Sequence, residues 1–209
     1  MRQITVFLWM EIKNKQVLGL QLPTDPRWVD LTQISLQEIL TDHAYCEQKA
    51  ASNCISLIQL YSGRTRLVEE LAPIVTEEWG HFRMVLAELK KRGLTLGAQR
   101  KDEYVNGLMT FMKSNNNMEE RMRERLLMFA LIEARSCERF RLLSEQLEDP
   151  GLKEFYHKLM VAEAGHYHLF LELAREYYDK DAVWARWKEW LEFEKQLLPT
   201  LELRGDRMH

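Results

Sequence analysis

The chain has 209 residues, a length typical of one domain, and its 46% apolar composition can form a sizeable core. A net charge of −3 excludes a protein that is basic over its whole surface, so nucleic-acid binding would need a local basic patch. No apolar run approaches the roughly 20 residues of a membrane span, and the first residues lack a secretory pattern. We therefore expect a single-domain, soluble, cytoplasmic protein over residues 1–209.

The cysteines agree with a reducing compartment. There are three of them, they form no Cys-x-x-Cys motif, and an odd number cannot pair completely within one chain. We expect buried thiols at Cys46, Cys54 and Cys137.

Residues 1–29 have no clear periodicity. The stretch ITVFLWMEI is compatible with a strand or a helix, and LPTDPRW, with two prolines, indicates a loop. The first predicted core helix covers residues 35–61 and begins with a capping box between Ser35 and Glu38.

A second core helix is predicted over residues 65–92. Thr65 is its expected N-cap, and Gly93 its expected stop. Pro73 lies inside this helix and predicts a kink or a local widening one turn before Glu78.

A long connection over residues 93–116 follows, with a predicted short helix at 103–113. A connection of this length can carry the chain across a helical bundle. The third core helix is predicted over residues 117–147, with a capped start formed by Asn117 and Glu120.

The fourth core helix is predicted over residues 149–178, where Asp149 is the cap and Pro150 occupies the first helical position. An accessory helix at about 181–197 is amphipathic. Four core helices with one long crossover and additional short helices predict an all-α, ferritin-like four-helix bundle. The face of the accessory helix that we expect to dock on the bundle carries Trp184, Trp187 and Leu191, and the alternative role of its tryptophans is stacking on bases.

A Glu-x-x-His motif occurs twice, in EEWGHF and in AEAGHY, and each follows another helical glutamate by 31 or 30 residues. In a helix, glutamate and histidine three residues apart lie on one face and can bind the same metal ion. Two such sets are the ligands of a carboxylate-bridged di-iron or di-manganese centre in a four-helix bundle. The six predicted ligands are Glu47, Glu78, His81, Glu133, Glu163 and His166.

Two nearby acids compete with this assignment, since Asp42 and Glu138 each lie five residues from a predicted ligand. Five residues rotate by about 140° around a helix, so one acid of each pair faces away from the core. Apolar neighbours favour Glu47 and Glu133, whereas Glu138 is expected on a half-solvated face. Each of the four selected glutamates also lies 13 or 14 residues from the turn of its hairpin, so the acids meet at the same height.

Four carboxylates inside one bundle need compensating positive charge, and two divalent metals supply it. Oxygen donors with two imidazoles and no thiolate suit iron or manganese better than zinc or copper(I). Three histidines outside the repeated motif are expected at the surface or next to ligands, and two tyrosines on the ligand face are candidate hydrogen-bond donors to the ligands. These residues are His43, His157, His168, Tyr156 and Tyr167.

Four segments resemble the MiaE family of tRNA hydroxylases: DHAYCEQKAAS, EEWGHF, ALIEARSCERF and AEAGHYHLF. The similarity runs from about Trp28 to Phe170. The family usually has a charged or bulkier residue at the position of Gly80, and the first twenty residues match poorly. The resemblance assigns the metal to the same six residues named above.

The resemblance implies a reaction and its partners. Members of the family use two iron ions and O2 to hydroxylate the isopentenyl group of 2-methylthio-N6-isopentenyl-adenosine next to the tRNA anticodon. No flavin or nicotinamide motif is present, so a separate reductase is expected to donate the electrons. Manganese catalase, rubrerythrin-like peroxidase, non-catalytic iron storage and a purely structural bundle are the alternatives. A peroxidase of that type would normally add a four-cysteine iron site, which three scattered cysteines cannot form.

The predicted tRNA contacts are clustered cations. They lie at the end of the second helix, in the crossover and at the start of the third helix, and one basic rim would combine them. The principal candidates are Lys90, Lys91, Arg92, Arg100 and Lys101, with Arg121, Arg123 and Arg125 as further members.

Overall fold

A computed structural model describes residues 18–113 and 117–209; the stretch ITVFLWMEI lies outside the described residues. All regular secondary structure in the described residues is helical. None of these helices combines the length and apolar composition that a membrane crossing requires. The helices are α1 (Arg27–Ile34), α2 (Leu36–Leu60), α3 (Thr65–Lys91), α4 (Glu103–Phe111), α5 (Met118–Gln146), α6 (Pro150–Tyr177) and α7 (Lys180–Leu197), followed by a 3-10 turn at Leu198–Thr200.

The chain forms two compact units. One contains α1, α2 and α3, and comprises Pro26–Asp102 and Arg204–Met208. The other contains α4 to α7, and comprises described residues 18–25, Glu103–Leu203 and His209. The prediction of a single domain stays a prediction.

In the first unit, α2 and α3 pack as a helical hairpin. The helix α1 was not expected, because the two prolines before it, Pro23 and Pro26, indicated a loop; burial of Trp28 and Val29 stabilises it. The predicted capping box at Ser35 is wrong, because this residue joins α1 to α2 and its side chain makes no capping bond. Its carbonyl oxygen instead accepts hydrogen bonds from the backbone N–H groups of Glu38 and Ile39.

The helix α3 differs from its prediction at one end. Thr65 is the first helical residue rather than the N-cap, and Arg64 precedes it without a side-chain capping bond. The other end agrees, because Gly93 follows the helix with φ of +69°, a conformation that glycine adopts without strain. The helix remains continuous through Pro73.

In the second unit, α5 and α6 form the other hairpin, and both predicted caps are confirmed. The Asn117 side chain accepts hydrogen bonds from the backbone N–H groups of Glu119 and Glu120, at 3.0 and 3.4 Å. Asp149 accepts from those of Gly151 and Leu152, at 2.7 and 3.1 Å. These bonds satisfy N–H groups that have no partner within the helix.

The accessory helix α7 packs against α4, α5 and α6. Trp187 and Leu191 are buried as expected, and Trp190 is buried as well. The prediction for Trp184 is wrong, because 47% of this residue is exposed. It lies in the first turns of α7, about one helical turn before Trp187.

Candidate metal centre

The hairpin of α2 and α3 brings together Glu47, Glu78 and His81, which we call the α2–α3 half-site. Nδ1 of His81 lies 3.5 Å from a carboxylate oxygen of Glu47 and 3.4 Å from one of Glu78. One potential ligand atom from each residue lies within 4.8 Å of the others. All three residues are buried, with at most 7% of any residue exposed.

The hairpin of α5 and α6 makes a second cluster of the same composition, the α5–α6 half-site of Glu133, Glu163 and His166. Nδ1 of His166 lies 3.1 Å from a carboxylate oxygen of Glu163. Potential ligand atoms of the three residues again lie within 4.8 Å of one another, and all three are buried. Each hairpin therefore pairs one glutamate with one Glu-x-x-His motif at the same height.

The apolar periodicity of the helices explains this placement. Residues three or four positions apart share a face, and each ligand interrupts a face of buried apolar side chains. On α5, the residues that flank Glu133 on this face are Leu126, Phe129, Ala130, Cys137 and Phe140, and all are buried.

The competing acid Asp42 is buried like the half-site acids, but it is used differently. It accepts a hydrogen bond of 2.7 Å from the backbone N–H of Met208. Burial raises the pKa of Asp42, while this hydrogen bond acts in the opposite direction. Asp42 thus anchors residues 204–208 within its own unit.

The expectation of a half-solvated face around Glu138 is wrong. This carboxylate is buried and accepts hydrogen bonds from the N–H and the hydroxyl of Thr24, at 2.9 and 2.6 Å. Arg135, also fully buried, donates to it at 2.5 Å. Residues 18–25 cover this face, and a contact over 114 positions of sequence leaves no periodic signal.

The sequence predicted no specific partner for His43, and the structure places it next to a proposed ligand. Its Nε2 lies 2.6 Å from Oε1 of Glu47, and the ring is fully buried. The spacing of four residues on one helix was the available signal for this pair. Among the other predicted neighbours, His157 is exposed and His168 is half-buried.

The two tyrosines lie in aromatic clusters. Tyr156 is buried against Phe140 and Phe155, with ring centroids 5.5 and 5.1 Å away. Tyr167 contacts His168 and Trp187 at 4.9 and 6.0 Å. Their hydrogen bonding to the ligands stays a prediction.

The cysteines remain thiols, as expected. Cys54 and Cys137 are buried as expected, whereas the expected burial of Cys46 is wrong, because this residue is half-buried. Burial raises the pKa of the Cys137 thiol, so this group is protonated at neutral pH.

The cations predicted to contact tRNA differ in availability. Lys90, Lys91 and Lys101 are exposed. Arg92 forms a salt bridge with Glu88, and Arg100 binds Asp206 at 2.8 Å. Arg100 also donates to the backbone carbonyl of Glu38 at 2.9 Å. The combined basic rim stays a prediction.

Comparison with known proteins identifies the family. The model of the family tRNA-(MS[2]IO[6]A)-hydroxylase (MiaE) matches residues 11–209. The chain belongs to the MiaE family. The match is longer than the segment from Trp28 to Phe170 on which the sequence resemblance was based.

Two MiaE relatives are named tRNA 2-(methylsulfanyl)-N(6)-isopentenyladenosine(37) hydroxylase. The protein from Pseudomonas putida is 36% identical over 158 residues, covering 76% of each chain. The protein from Salmonella typhimurium is 27% identical over 236 aligned positions, covering 88% of this chain and 86% of its own.

A solved structure from Synechococcus, described as protein 43 with aldehyde deformylating oxygenase activity, is similar throughout. Its TM-score is 0.85 at 34% identity, covering 91% of this chain and 94% of that one. The predicted all-α, ferritin-like fold class is thereby confirmed. Together with the two carboxylate–histidine clusters, this likeness indicates a metal centre.

Proposed function

We propose that this MiaE-family protein is a non-haem di-iron monooxygenase. Its substrate is tRNA carrying 2-methylthio-N6-isopentenyl-adenosine next to the anticodon, and the product is hydroxylated on the isopentenyl group. The observation that carries the proposal is the pair of buried half-sites in a chain that matches the hydroxylase family over residues 11–209.

The six residues of the two half-sites are the proposed ligands of two metal ions. Each half-site offers two carboxylates and one imidazole, and the buried positions exclude the water that otherwise stabilises a carboxylate. Divalent cations would neutralise these acids and are the expected partners of such a ligand set. The donor chemistry, oxygen with imidazole, fits iron or manganese.

The protein's own residues would fix the geometry around the metals. Hydrogen bonds that orient a metal ligand commonly tune the affinity of a site, and His43 is placed to orient Glu47 in this way. The buried aromatic and aliphatic side chains of α5 keep the α5–α6 half-site dry.

The reaction requires a reductant. Bound iron would supply the activation of O2, with one oxygen atom entering the C–H bond and the other leaving as water. Two electrons and two protons balance this equation, and we propose a separate reductase chain as the electron source. A cytoplasmic location, where such a partner and tRNA meet, fits this proposal.

The test is an incubation of the iron-loaded, reduced protein with O2 and the prenylated tRNA, followed by digestion and mass analysis of the nucleosides. We expect one added oxygen atom that is labelled by isotopic O2 and not by labelled water. Iron-loaded protein that leaves the nucleoside unmodified with a competent donor would overturn the proposal. Because the Synechococcus relative is named for aldehyde chemistry, an aldehyde serves as the control substrate.

Manganese catalase remains the second candidate, because the same donor set suits manganese. Metal analysis separates the two functions. Two manganese ions per chain with rapid peroxide disproportionation would support the catalase, whereas two irons and hydroxylated tRNA support the monooxygenase.

A further inference from the structure

The outward face of α3 combines an aromatic side chain with cations. At about 100° per residue, Trp79, Arg83, Lys90 and Lys91 fall within an arc of about 120°. The buried residues of the helix, among them Glu78 and His81, lie on the opposite side. We call these four residues the outer stripe of α3.

The outer stripe is accessible. Trp79 is 48% exposed, the side chain of Lys91 is 64% exposed, and Arg83 and Lys90 are exposed as well. A tryptophan ring with half its surface in water offers an aromatic face on which a base can stack. A Cβ atom at the neighbouring Gly80 would meet nothing within 4 Å, so the helix surface beside the tryptophan is open.

A pair of stacked aromatic rings connects the outer stripe to the face of α3 that carries the proposed ligands. The ring of Phe82 stacks on that of Trp79, with centroids 4.8 Å apart and planes inclined by 27°. Phe82 is half-buried and lies one turn after Glu78. The exposed tryptophan therefore lies at the border between solvent and the face that carries the proposed metal ligands.

Charge is segregated on this part of α3. The outer stripe carries three cations, whereas the acids Glu77 and Glu88 fall outside its arc. Glu88 is engaged by Arg92 and lies 3.6 Å from Lys91. Within a chain of net charge −3, this local excess of positive charge suits a polyanion.

We propose that the outer stripe of α3 binds the anticodon arm of the substrate tRNA. Trp79 stacks on an unpaired base of the loop, and Arg83, Lys90 and Lys91 contact phosphates. The inference rests on the proposed function for the identity of the RNA. Proteins that bind single-stranded RNA combine such stacking platforms with cations along the backbone, and the stripe extends over about 18 Å of helix, enough for several phosphates.

The test uses two variants and two matched controls. Trp79→Ala removes the platform, and its control is Trp184→Ala, since Trp184 is equally exposed on α7. The double variant Arg83→Glu with Lys90→Glu reverses two positive charges of the stripe. Its control, Lys158→Glu with Lys188→Glu, reverses two exposed positive charges outside the stripe. Melting temperature and iron per chain verify that each variant remains folded and loaded.

Affinity for an anticodon stem-loop carrying the prenylated adenosine is measured at several salt concentrations. Trp79→Ala should weaken binding about tenfold, which is the scale of one base–aromatic contact. The charge reversal should also reduce the slope of log affinity against log salt by about 0.7 for each phosphate that the protein no longer neutralises. Both controls should bind as the unmodified protein does.

Unchanged affinity and salt slope in both stripe variants would overturn the proposal, as would a greater loss of affinity in the controls. A stripe that instead receives an acidic reductase would show normal RNA affinity with slower reduction of the iron, which also overturns it. Failure of the proposed function is a distinct result. The unmodified protein would then leave the prenyl group intact, while the stripe variants still bound the RNA more weakly.

Discussion

Two groups of buried acids in the second unit, equally hidden from water, have different partners. Glu138 and Glu194 are held by Arg135, whose guanidinium lies 2.5 and 2.6 Å from their oxygens. In the α5–α6 half-site, the histidine of the Glu-x-x-His motif approaches Glu163 at 3.1 Å. Guanidinium is always charged, whereas imidazole is also a metal ligand. Burial alone therefore does not distinguish a structural acid from a candidate ligand; the partner does.

A second buried glutamate in this unit, Glu124, is also paired with an arginine. Arg186 donates hydrogen bonds to Glu124 from Nε, at 2.9 and 3.2 Å, and from Nη2, at 2.7 Å. Its guanidinium also lies 4.1 Å from the centroid of the Phe111 ring and donates to the Phe111 carbonyl. This pair links α5 and α7 to the end of α4 and would not respond to metal removal.

The sharpest test of the comparison is metal binding. We expect Glu133→Ala to lose bound iron, because it removes a proposed ligand, and Glu138→Ala to keep it. Iron per chain, measured after loading and desalting, gives the result. If only Glu138→Ala loses iron, the assignment on α5 is wrong and the distinction by partner fails.

The two kinds of acid have opposite expected effects on stability without metal. Glu163→Gln should leave the metal-free protein as stable or more stable, since it removes a negative charge from a buried cluster. Glu138→Gln should destabilise it, because Arg135 and Thr24 lose a charged acceptor. Urea unfolding of the chelator-treated proteins makes the comparison; the reverse order of stabilities would contradict it.

The largest loss of folding stability is expected for Arg135→Met. This change removes the cation that donates hydrogen bonds to both Glu138 and Glu194 and should cost about 3–5 kcal/mol. The control is Arg141→Met, because Arg141 is more exposed and lies 3.7 Å from the exposed Glu145, so about 1 kcal/mol or less is expected. Urea unfolding measures the stability of both variants. If Arg135→Met lost as little folding stability as is expected for Arg141→Met, the buried network would contribute little.

The two half-sites differ in the residue that lies one helical turn before the first glutamate. His43 precedes Glu47 by four residues, whereas Phe129 precedes Glu133 by four. We expect His43→Phe, which copies the α5 arrangement, to weaken metal binding about 10–100-fold because the carboxylate loses its orienting hydrogen bond. Chelator competition measures the affinity. The exposed His157→Phe is the control, and equal affinities would remove His43 from the site.

Local signals predicted much of the fold. The ends of helices α2, α3, α5 and α6 lie within one or two residues of their predicted positions. Caps and stops act over one helical turn, which is why a local pattern predicts them. The capping bonds at Asn117 and Asp149, for example, involve residues two or three positions away. The capping box at Ser35 failed because α1 precedes it, and burial of Trp28 stabilises that helix. Packing of this kind is not visible in a local pattern.

The candidate site was predictable for the same reason, since the hairpin register follows from helix rise and the distance to each turn. The environment of Glu138 was not, because it depends on residues 18–25 and on α7, which are distant in sequence. No spacing in the sequence selects iron over manganese or defines the substrate, for which the proposal relies on family likeness, and the separate electron donor is proposed because the sequence has no flavin or nicotinamide motif. Metal analysis and the tRNA assay are the measurements that decide them.

A third kind of acid, partly exposed and surrounded by arginines, should have the smallest effect. A hydrogen bond from Arg204, with help from Arg207 and Arg100, lowers the pKa of Asp206 to about 2. Because the folded pKa lies below the unfolded value of about 3.9, the stabilisation is complete above that value and is lost as pH falls toward 2.

We therefore expect Asp206→Asn to cost about 1 kcal/mol or less near neutral pH, since solvent reaches these partly exposed arginines and screens their charges. The difference from the unmodified protein should be constant above about pH 5 and should narrow between pH 4 and pH 3. Urea unfolding across this range measures it. A difference that widened as the pH fell would mean that the carboxyl group stabilises the fold in its protonated form, contrary to its contacts with three guanidinium groups.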